Sequence, residues 1–313
     1  MPPVLITLLG PTATGKTALA AVVADRLGGE IISADSRQVF RGLDIGTGKD
    51  LADYCVEGRP VPYHLIDICQ PTEEYSAYRF MGDFKEAFAG IVQRGRQPIL
   101  CGGTGLYIDA VVRSYRLADA PVDPDYRRSL EPFSDGELTA RLAALAPLHN
   151  HTDTETRERL VRALEIQEFA RTHPEAYIKL PPMRHLVFGL RFPREVLVQR
   201  IERRLRDRMA EGMTAEVERL LAEGVPAERL LRLGLEYRHV TRFLTGACTQ
   251  EEMFRDLFTD IRRFSKRQMT WFRRMERNGV AIDWIDGALP LEAKAYHILS
   301  ALQKASGASI PEA

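Results

Sequence analysis

The stretch Val4-Leu5-Ile6-Thr7-Leu8-Leu9-Gly10-Pro11-Thr12-Ala13-Thr14-Gly15-Lys16-Thr17 decides how the rest of the chain is read. Six apolar-rich residues predict a short buried strand that ends at Gly10. Residues 10–17 then match G-x-x-x-x-G-K-[ST] in full, and an alanine-rich helical pattern runs from Lys16 to Leu27 and stops at Gly28-Gly29. A glycine-rich turn between a strand and a helix is the setting in which this pattern binds phosphate. Backbone N–H groups of Gly10, Pro11 to Thr14 and Gly15 (proline itself lacking one) surround phosphate oxygens, and the helix N-terminus favours negative charge. Lys16 supplies a point charge, and Thr17 a hydroxyl suited to a magnesium ion.

Outward from this loop, further strands are expected at Glu30–Ser33, His64–Ile68 and Gln97–Cys101, with an amphipathic helix over Tyr78–Gln93. Strands alternating with helices predict a parallel sheet with ligands at the strand carboxyl ends. The expected fold class is therefore α/β: a P-loop NTPase-like parallel sheet core with a helical insertion domain and a helix-rich C-terminal part. Pro121, Pro124 and Pro132 mark the change of texture. Leu186–Leu190 returns to the sheet, Arg194 to Arg277 reads as helical, and Val280–Ile285 as a last extended piece. The domains expected are 1–117 with 183–290 as the core, 118–182 as the insertion, and 291–313 as a C-terminal helix and loose tail.

The chain has 313 residues, 43 basic and 43 acidic, and 45% apolar content. This excludes a disordered chain and one that coats nucleic acid through bulk charge, but not one with a local basic groove. Cys55, Cys69, Cys101 and Cys248 form no C-x-x-C pair, so neither a disulfide framework nor a zinc ribbon is expected. The amino-terminal run is too short for a targeting signal and no run is long enough to span a bilayer, which predicts a soluble cytoplasmic protein without membrane contact.

The loop is shared by ATP-binding and other nucleotide-binding proteins and does not name a reaction. The guanine signature N-K-x-D is absent, which weighs against a switch protein. Asp67, ending His64-Leu65-Ile66-Asp67, reads equally as an ATPase-like acidic strand end or a capped strand terminus. The choice of chemistry rests on Ser33-Ala34-Asp35-Ser36-Arg37-Gln38-Val39-Phe40-Arg41-Gly42-Leu43-Asp44-Ile45-Gly46-Thr47, a dense polar run after a buried strand. With the loop, His64-Leu65-Ile66-Asp67-Ile68, Gly102-Gly103-Thr104-Gly105-Leu106-Tyr107 and Lys266-Arg267-Gln268-Met269-Thr270-Trp271-Phe272-Arg273, it resembles the tRNA dimethylallyltransferase (tRNA isopentenyltransferase) family. The blocks stand in family order from Gly10 to Arg273. The zinc finger of eukaryotic relatives is absent, so the resemblance is to the bacterial type.

The resemblance implies transfer of a dimethylallyl group from dimethylallyl diphosphate to N6 of the adenosine 3′ of the anticodon, with release of diphosphate and with Mg2+ as cofactor. An adenine amine is a poor nucleophile, so transfer depends on stabilising the departing diphosphate, for which Lys16, Thr17 and magnesium are suited. The amine also loses a proton, for which Asp35 is the candidate acceptor; a cap or a partner for Arg37 is its other reading. Thr104 resembles the threonine that organises diphosphate and adenosine, against a plain strand-to-helix turn. Arg200 and Arg204 share one helix face; the resemblance implies that one of them caps the diphosphate, with a solvated basic face as the alternative.

For the partner tRNA, through its anticodon stem-loop, the expected contacts are Asp35, Ser36, Arg37 and Gln38 at a base extruded from its stack. Arg157, Arg159 and Arg162 lie in an R-x-x-R-A-L-E segment of the insertion, where an ordinary amphipathic helix is the alternative. Lys266, Arg267 and Arg273 belong to a segment, Arg255 to Arg277, with eight basic residues against three acids. A second basic run spans Arg191 to Arg208. Phe264, Trp271 and Phe272 are expected in the core. Two departures from the family pattern stand out: Gly46-Thr47-Gly48-Lys49-Asp50 where G-T-A-K-P is usual, and Leu233-Gly234-Leu235-Glu236-Tyr237-Arg238 where I-G-Y-[KR] is usual. An adenine-nucleotide isopentenyltransferase, a P-loop small-molecule kinase and a non-catalytic RNA-binding protein are the competing readings, and a monomer is expected.

Overall fold

A computed structural model describes residues 2–145, 154, 156–173 and 176–306. The chain divides into two compact units, one made of Met1–Arg113 and Pro181–Ala313, the other of Ser114–Leu180. The expected tail at 307–313 lies outside the described residues.

In the first unit, strand β1 (Val4–Leu9) leads through the glycine-rich loop into helix α1 (Lys16–Leu27). Next come β2 (Glu30–Ala34), a small antiparallel hairpin of β3 (Cys55–Val56) and β4 (Arg59–Pro60), and the short β5 (Tyr63–His64). Helix α2 (Ala77–Gln93), β6 (Pro98–Gly102) and α3 (Gly105–Val112) complete the amino-terminal half. The second unit holds α4 (Pro124–Leu130), α5 (Asp135–Leu145) and α6 (Arg157–Thr172) around a small core of Leu130, Leu138, Leu142, Leu160 and Leu164. The first unit then resumes with β7 (Arg184–Arg191) and the helices α7 (Arg194–Ala210), α8 (Met213–Ala222), α9 (Ala227–Leu230), α10 (Leu235–Leu244) and α11 (Gln250–Arg277). Strand β8 (Asp283–Asp286) and α12 (Leu291–Ser306) end the described chain.

The sheet has the order β5-β2-β6-β1-β7-β8 with every neighbouring pair parallel. Central strands buried on both faces need apolar runs, which β1 supplies; all five residues of β2 are buried too, including Glu30 and Ser33. On one side α1 and α12 pack, with Val23, Ala295 and Ile298 fully buried against Ile6, Ile31 and Phe188. A second cluster joins α7, α8, α10 and α11 to Val39, Phe40 and Leu43, the segment after β2. Because β1, β2 and β6 run side by side in one direction, the turns that follow them all emerge at the same edge.

The expected strand His64–Ile68 is cut to two residues. Leu65 and Asp67 adopt left-handed backbone (φ 64° and 55°), so the ladder cannot continue. The N–H groups of Asp67 and Ile68 instead donate to the carbonyls of Gln38 (3.1 Å) and Val39 (2.9 Å). The Asp67 carboxylate pairs with the buried Lys49, whose ammonium also donates to Asp44 (2.9 Å) and to the Phe40 carbonyl (2.6 Å). Asp67 is therefore a brace for the loop after β2.

Candidate active site

The loop between β1 and α1 is closed on itself. The Thr14 hydroxyl donates to the Pro11 carbonyl at 2.8 Å and the Lys16 ammonium to the same oxygen at 2.9 Å. Ala13 is held at φ 63°, a strained conformation for a residue with a Cβ, and its carbonyl accepts from Arg200 Nε at 2.8 Å. The Arg200 guanidinium lies over the Phe192 ring, 4.7 Å from its centre. Beside the loop opens a cleft of about 420 Å3, lined by Lys16, Thr17, Arg200, Arg203 and Arg204 together with Asp50, Asp53 and Asp207. Burial, above all, holds the pKa of Lys16 down at about 8, with Cys101 and Asp35 opposing and Arg204 acting in the same direction as burial. Burial, then the charge of Asp50, raises the pKa of Asp53, with Arg204 opposing. Such a cleft, cationic at the loop and open to solvent, suits a diphosphate.

Asp35 and Thr104 stand next to it because β2 and β6 pair, with Ala34 opposite Gly102. The Asp35 carboxylate accepts the Arg37 N–H at 2.9 Å, which fixes the turn after β2. Thr104 precedes α3 but does not cap it; its hydroxyl oxygen accepts the Ser36 N–H at 3.0 Å and lies 3.4 Å from the Ser36 hydroxyl. Asp35, Ser36 and Thr104 thus form one knot across two strand ends. Arg37 is largely buried, its pKa pushed down by desolvation and held up by the charge of Asp35. Gln38 bonds within the protein: its amide oxygen accepts from the Ser33 hydroxyl at 3.1 Å and its amide nitrogen donates to the Gly48 carbonyl at 3.0 Å. It braces the loop.

Two side chains that sequence reasoning did not single out hold this arrangement. Gln268, on α11, accepts the Thr12 N–H at 2.9 Å and donates to the Gly103 carbonyl at 2.9 Å, joining the phosphate-binding loop to the turn after β6. Glu216, on α8, accepts the N–H groups of Asp44 (3.0 Å), Ile45 (2.7 Å) and Gly46 (3.1 Å) and the hydroxyl of Tyr237 (2.7 Å). The available signal was a polar residue on a buried stripe: Gln268 between Ser265 and Phe272, Glu216 between Met213 and Val217. Trp271 lies against Gly105, where a Cβ would come within 2.5 Å of the ring, so that position needs glycine.

The basic residues separate into two kinds. Lys266, Arg267 and Arg273 are exposed on α11, and Arg267 lies 5.9 Å from the ring centre of Phe264, itself 38% exposed rather than in the core. Phe272 is fully buried as expected. In the insertion, Arg157 donates to the carbonyls of Leu130, Glu131 and Phe133 and to Asp135. Arg162 donates to the Ala120 carbonyl (2.6 Å) and to Glu165 (2.5 Å). These two staple the insertion's own elements, whereas Arg159 is exposed. Among the described residues no helix is long and apolar enough to cross a membrane.

Residues 38–275 match the IPP transferase family, and residues 3–59 the isopentenyl transferase family. The chain belongs to the IPP transferase family. It is 51% identical over 295 residues to tRNA dimethylallyltransferase 1 of Porphyromonas gingivalis, covering 94% of this chain and 98% of that one. It is 53% identical over 284 residues to tRNA dimethylallyltransferase 2 of Pelobacter propionicus, covering 90% of each. Among solved structures it resembles the tRNA isopentenylpyrophosphate transferase of Bacillus halodurans, with 34% identity, a TM-score of 0.70 and coverage of 96% and 95%. A eukaryotic dimethylallyltransferase acting on tRNA shares the fold at 22% identity and a TM-score of 0.72, over 99% of this chain and 81% of that one. The IPP transferase match runs from Gln38 through Met275 and so spans Thr104, Arg200, Arg204 and Gln268.

Proposed function

We propose that this protein transfers a dimethylallyl group from dimethylallyl diphosphate to N6 of the adenosine 3′ of the anticodon of tRNA. The observation that carries the reading is the convergence of Lys16, Thr17, Asp35 and Thr104 at the ends of three adjacent parallel strands, in a chain half identical to tRNA dimethylallyltransferases. In the reaction the bond between the allylic carbon and the diphosphate oxygen breaks and a bond from that carbon to N6 forms. The N6 proton passes to the Asp35 carboxylate, and diphosphate leaves with the electron pair. Lys16 and the loop N–H groups meet the charge that develops on the leaving group. One of Arg200 and Arg204 caps it from α7: both line the cleft, Arg200 donating through Nε to the Ala13 carbonyl and Arg204 pairing with Asp50. Thr104, tied to Ser36, sets the height of the turn at which the adenine edge meets Asp35.

Mg2+ fits this site as a diphosphate-borne ion. Thr17 offers its hydroxyl in the cleft, and no group of three His, Cys, Asp or Glu able to hold an ion occurs among the described residues, so its other ligands would be diphosphate oxygens and water. When bound, the ion neutralises charge on the departing diphosphate. For RNA, the exposed Lys266, Arg267, Arg273 and Arg159 are the residues suited to phosphates. The reading places the protein in the cytoplasm beside its tRNA substrate and treats it as a monomer, which gel filtration checks.

The test incubates the protein with magnesium and labelled dimethylallyl diphosphate, offering an anticodon stem-loop, AMP or buffer. Label on the stem-loop alone is the expected result. Label on AMP with none on RNA overturns the tRNA reading in favour of a nucleotide prenyltransferase, and no transfer to either acceptor overturns the prenyltransferase reading.

A further inference from the structure

Arg208 follows Arg204 on α7 at the same spacing by which Arg204 follows Arg200, so the three form a ladder on one helix face. Unlike the other two, Arg208 is 8% exposed. Its Nη1 reaches the Gly46 carbonyl at only 3.5 Å, and its buried Nη2 has no hydrogen-bond partner among the described residues. A buried guanidinium with unused donors is costly and needs a reason.

The surroundings supply one. Gly48 adopts φ +65°, and a Cβ built there would lie 1.6 Å from Arg208 Nη2 and 2.5 Å from Arg204 Nη2. The Arg208 tip therefore fills the space above this glycine and the Arg204 tip sits at its rim, with like charges close together. Two carboxylates offset them. Asp50 pairs with Arg204 at 2.7 Å, and Glu236 faces Arg208 across a gap of about 10 Å3 that Thr12, Ala13 and Arg204 also line. Burial lowers the pKa of Arg208 and the charge of Arg204 lowers it further, with Glu236 opposing; Glu236 is raised by burial and held down by Arg208. Gly48, Asp50 and Glu236 are the positions at which the sequence departs from G-T-A-K-P and I-G-Y-[KR]. Departures nearly two hundred residues apart thus meet around the same two arginines.

We propose that Arg208 is a positioning residue for donor binding: it fills the space above Gly48 and so holds Arg204 out at the diphosphate cleft, with Glu236 balancing its charge. This rests on the reading of the cleft as the donor site. Without Arg208, Arg204 gains room to fold back over Gly48 and loses the like-charge repulsion that keeps it out. The affinity for diphosphate then falls while the chemistry at Asp35 is untouched.

The experiment measures binding of inorganic diphosphate by calorimetry with magnesium, beside steady-state transfer to the stem-loop. Arg208→Met is expected to raise the diphosphate Kd and the KM for dimethylallyl diphosphate about tenfold, with kcat and the KM for RNA within threefold. Glu236→Gln combined with Arg208→Met leaves no unpaired buried charge and keeps the measurement available on a folded protein; the same loss is expected. Gly48→Ala added to Arg208→Met places a methyl group in the vacated space and is expected to restore the Kd to within threefold of the parent. Parent-like diphosphate binding by both Arg208 variants, in the face of a loss on Arg204→Met, overturns the proposal. Failure of the parent protein itself to bind diphosphate overturns the donor-site reading, and the proposal with it.

Discussion

Replacing Gln268 with methionine keeps the volume of the side chain and removes both of its hydrogen bonds. The Thr12 N–H and the Gly103 carbonyl are then left without partners, and the bond to Gly103 is buried. A stranded buried polar group costs about 1–3 kcal/mol. Thr12 is only half-buried and recovers part of its loss from water, so about 2–4 kcal/mol is expected for the pair. At about 2–4 °C per kcal/mol for a unit of this size, the melting temperature falls by about 5–10 °C. The effect on function is larger than a uniform loosening would give, because the freed loop carries Lys16. A misplacement of about 1 Å can cost about 100-fold in rate, and a fall of that order in kcat/KM for dimethylallyl diphosphate is expected. Stem-loop affinity, measured by filter binding, stays within about threefold, since the cations of α11 point away from Gln268. A Gln268→Met protein with the stability loss but with kcat/KM within threefold of the parent would show that the bridge supports the fold and leaves the loop where it was.

Three further outcomes are expected. Lys16, with a pKa of about 8, is a cation below that pH and loses its proton above it, so the KM for the donor rises as pH passes about 8; a flat profile to pH 9 refutes the role given to the ammonium. Glu30 is held at about 2 by hydrogen bonds from Arg94, against the opposing effect of burial, and by His64; its stabilisation is present above pH ~4.5 and disappears as pH falls toward 2. Glu30→Gln therefore removes about 2–3 kcal/mol at pH 7 and little at pH 2.5, as urea titrations at both pH values would show. Glu216→Ala strands the N–H groups of Asp44, Ile45 and Gly46 and the Tyr237 hydroxyl, a loss of about 3–4 kcal/mol in which activity falls with the ordering of the loop after β2; unchanged melting refutes it.

The local grammar of the chain was readable without coordinates. Helix α1 runs from Lys16 to Leu27 as its alanine-rich pattern and flanking glycines require, and α2 begins one residue before its expected start because Ser76 caps it. What escaped was long-range. The strand after residue 62 stops at His64 because Lys49, Gln38 and Val39 draw the following residues away from the ladder, and no periodicity in residues 63–68 carries that information. Lys16 stood out through its glycine-rich loop, Asp35 through the polar run after a buried strand and Thr104 through the resemblance, and parallel pairing of β1, β6 and β2 brings the three to one edge of the sheet. Gln268 and Glu216 did not stand out, since Gln268 meets Thr12 and Gly103, and Glu216 meets Asp44, Ile45 and Gly46, across more than 150 residues of chain. Gln38 and Arg162 show a further use of polar side chains in the recognised blocks, since each makes hydrogen bonds that hold its own block in place.

Helix α11 keeps two things in phase. One side carries Gln268, which reaches both the loop and the turn after β6, while Lys266, Arg267 and Arg273 stand on the outward side of the same rod. Its 28 residues span about 42 Å, and a turn takes about 3.6 residues. Inserting or deleting a single residue between its capping box and Gln268 would rotate everything beyond by about 100°. Cations would then face the phosphate-binding loop and the bridging amide would face solvent. Single substitutions on the outward side of α11 therefore leave the bridge in place, whereas a change of its length between Thr249 and Trp271 keeps both sides working only in steps that restore the phase.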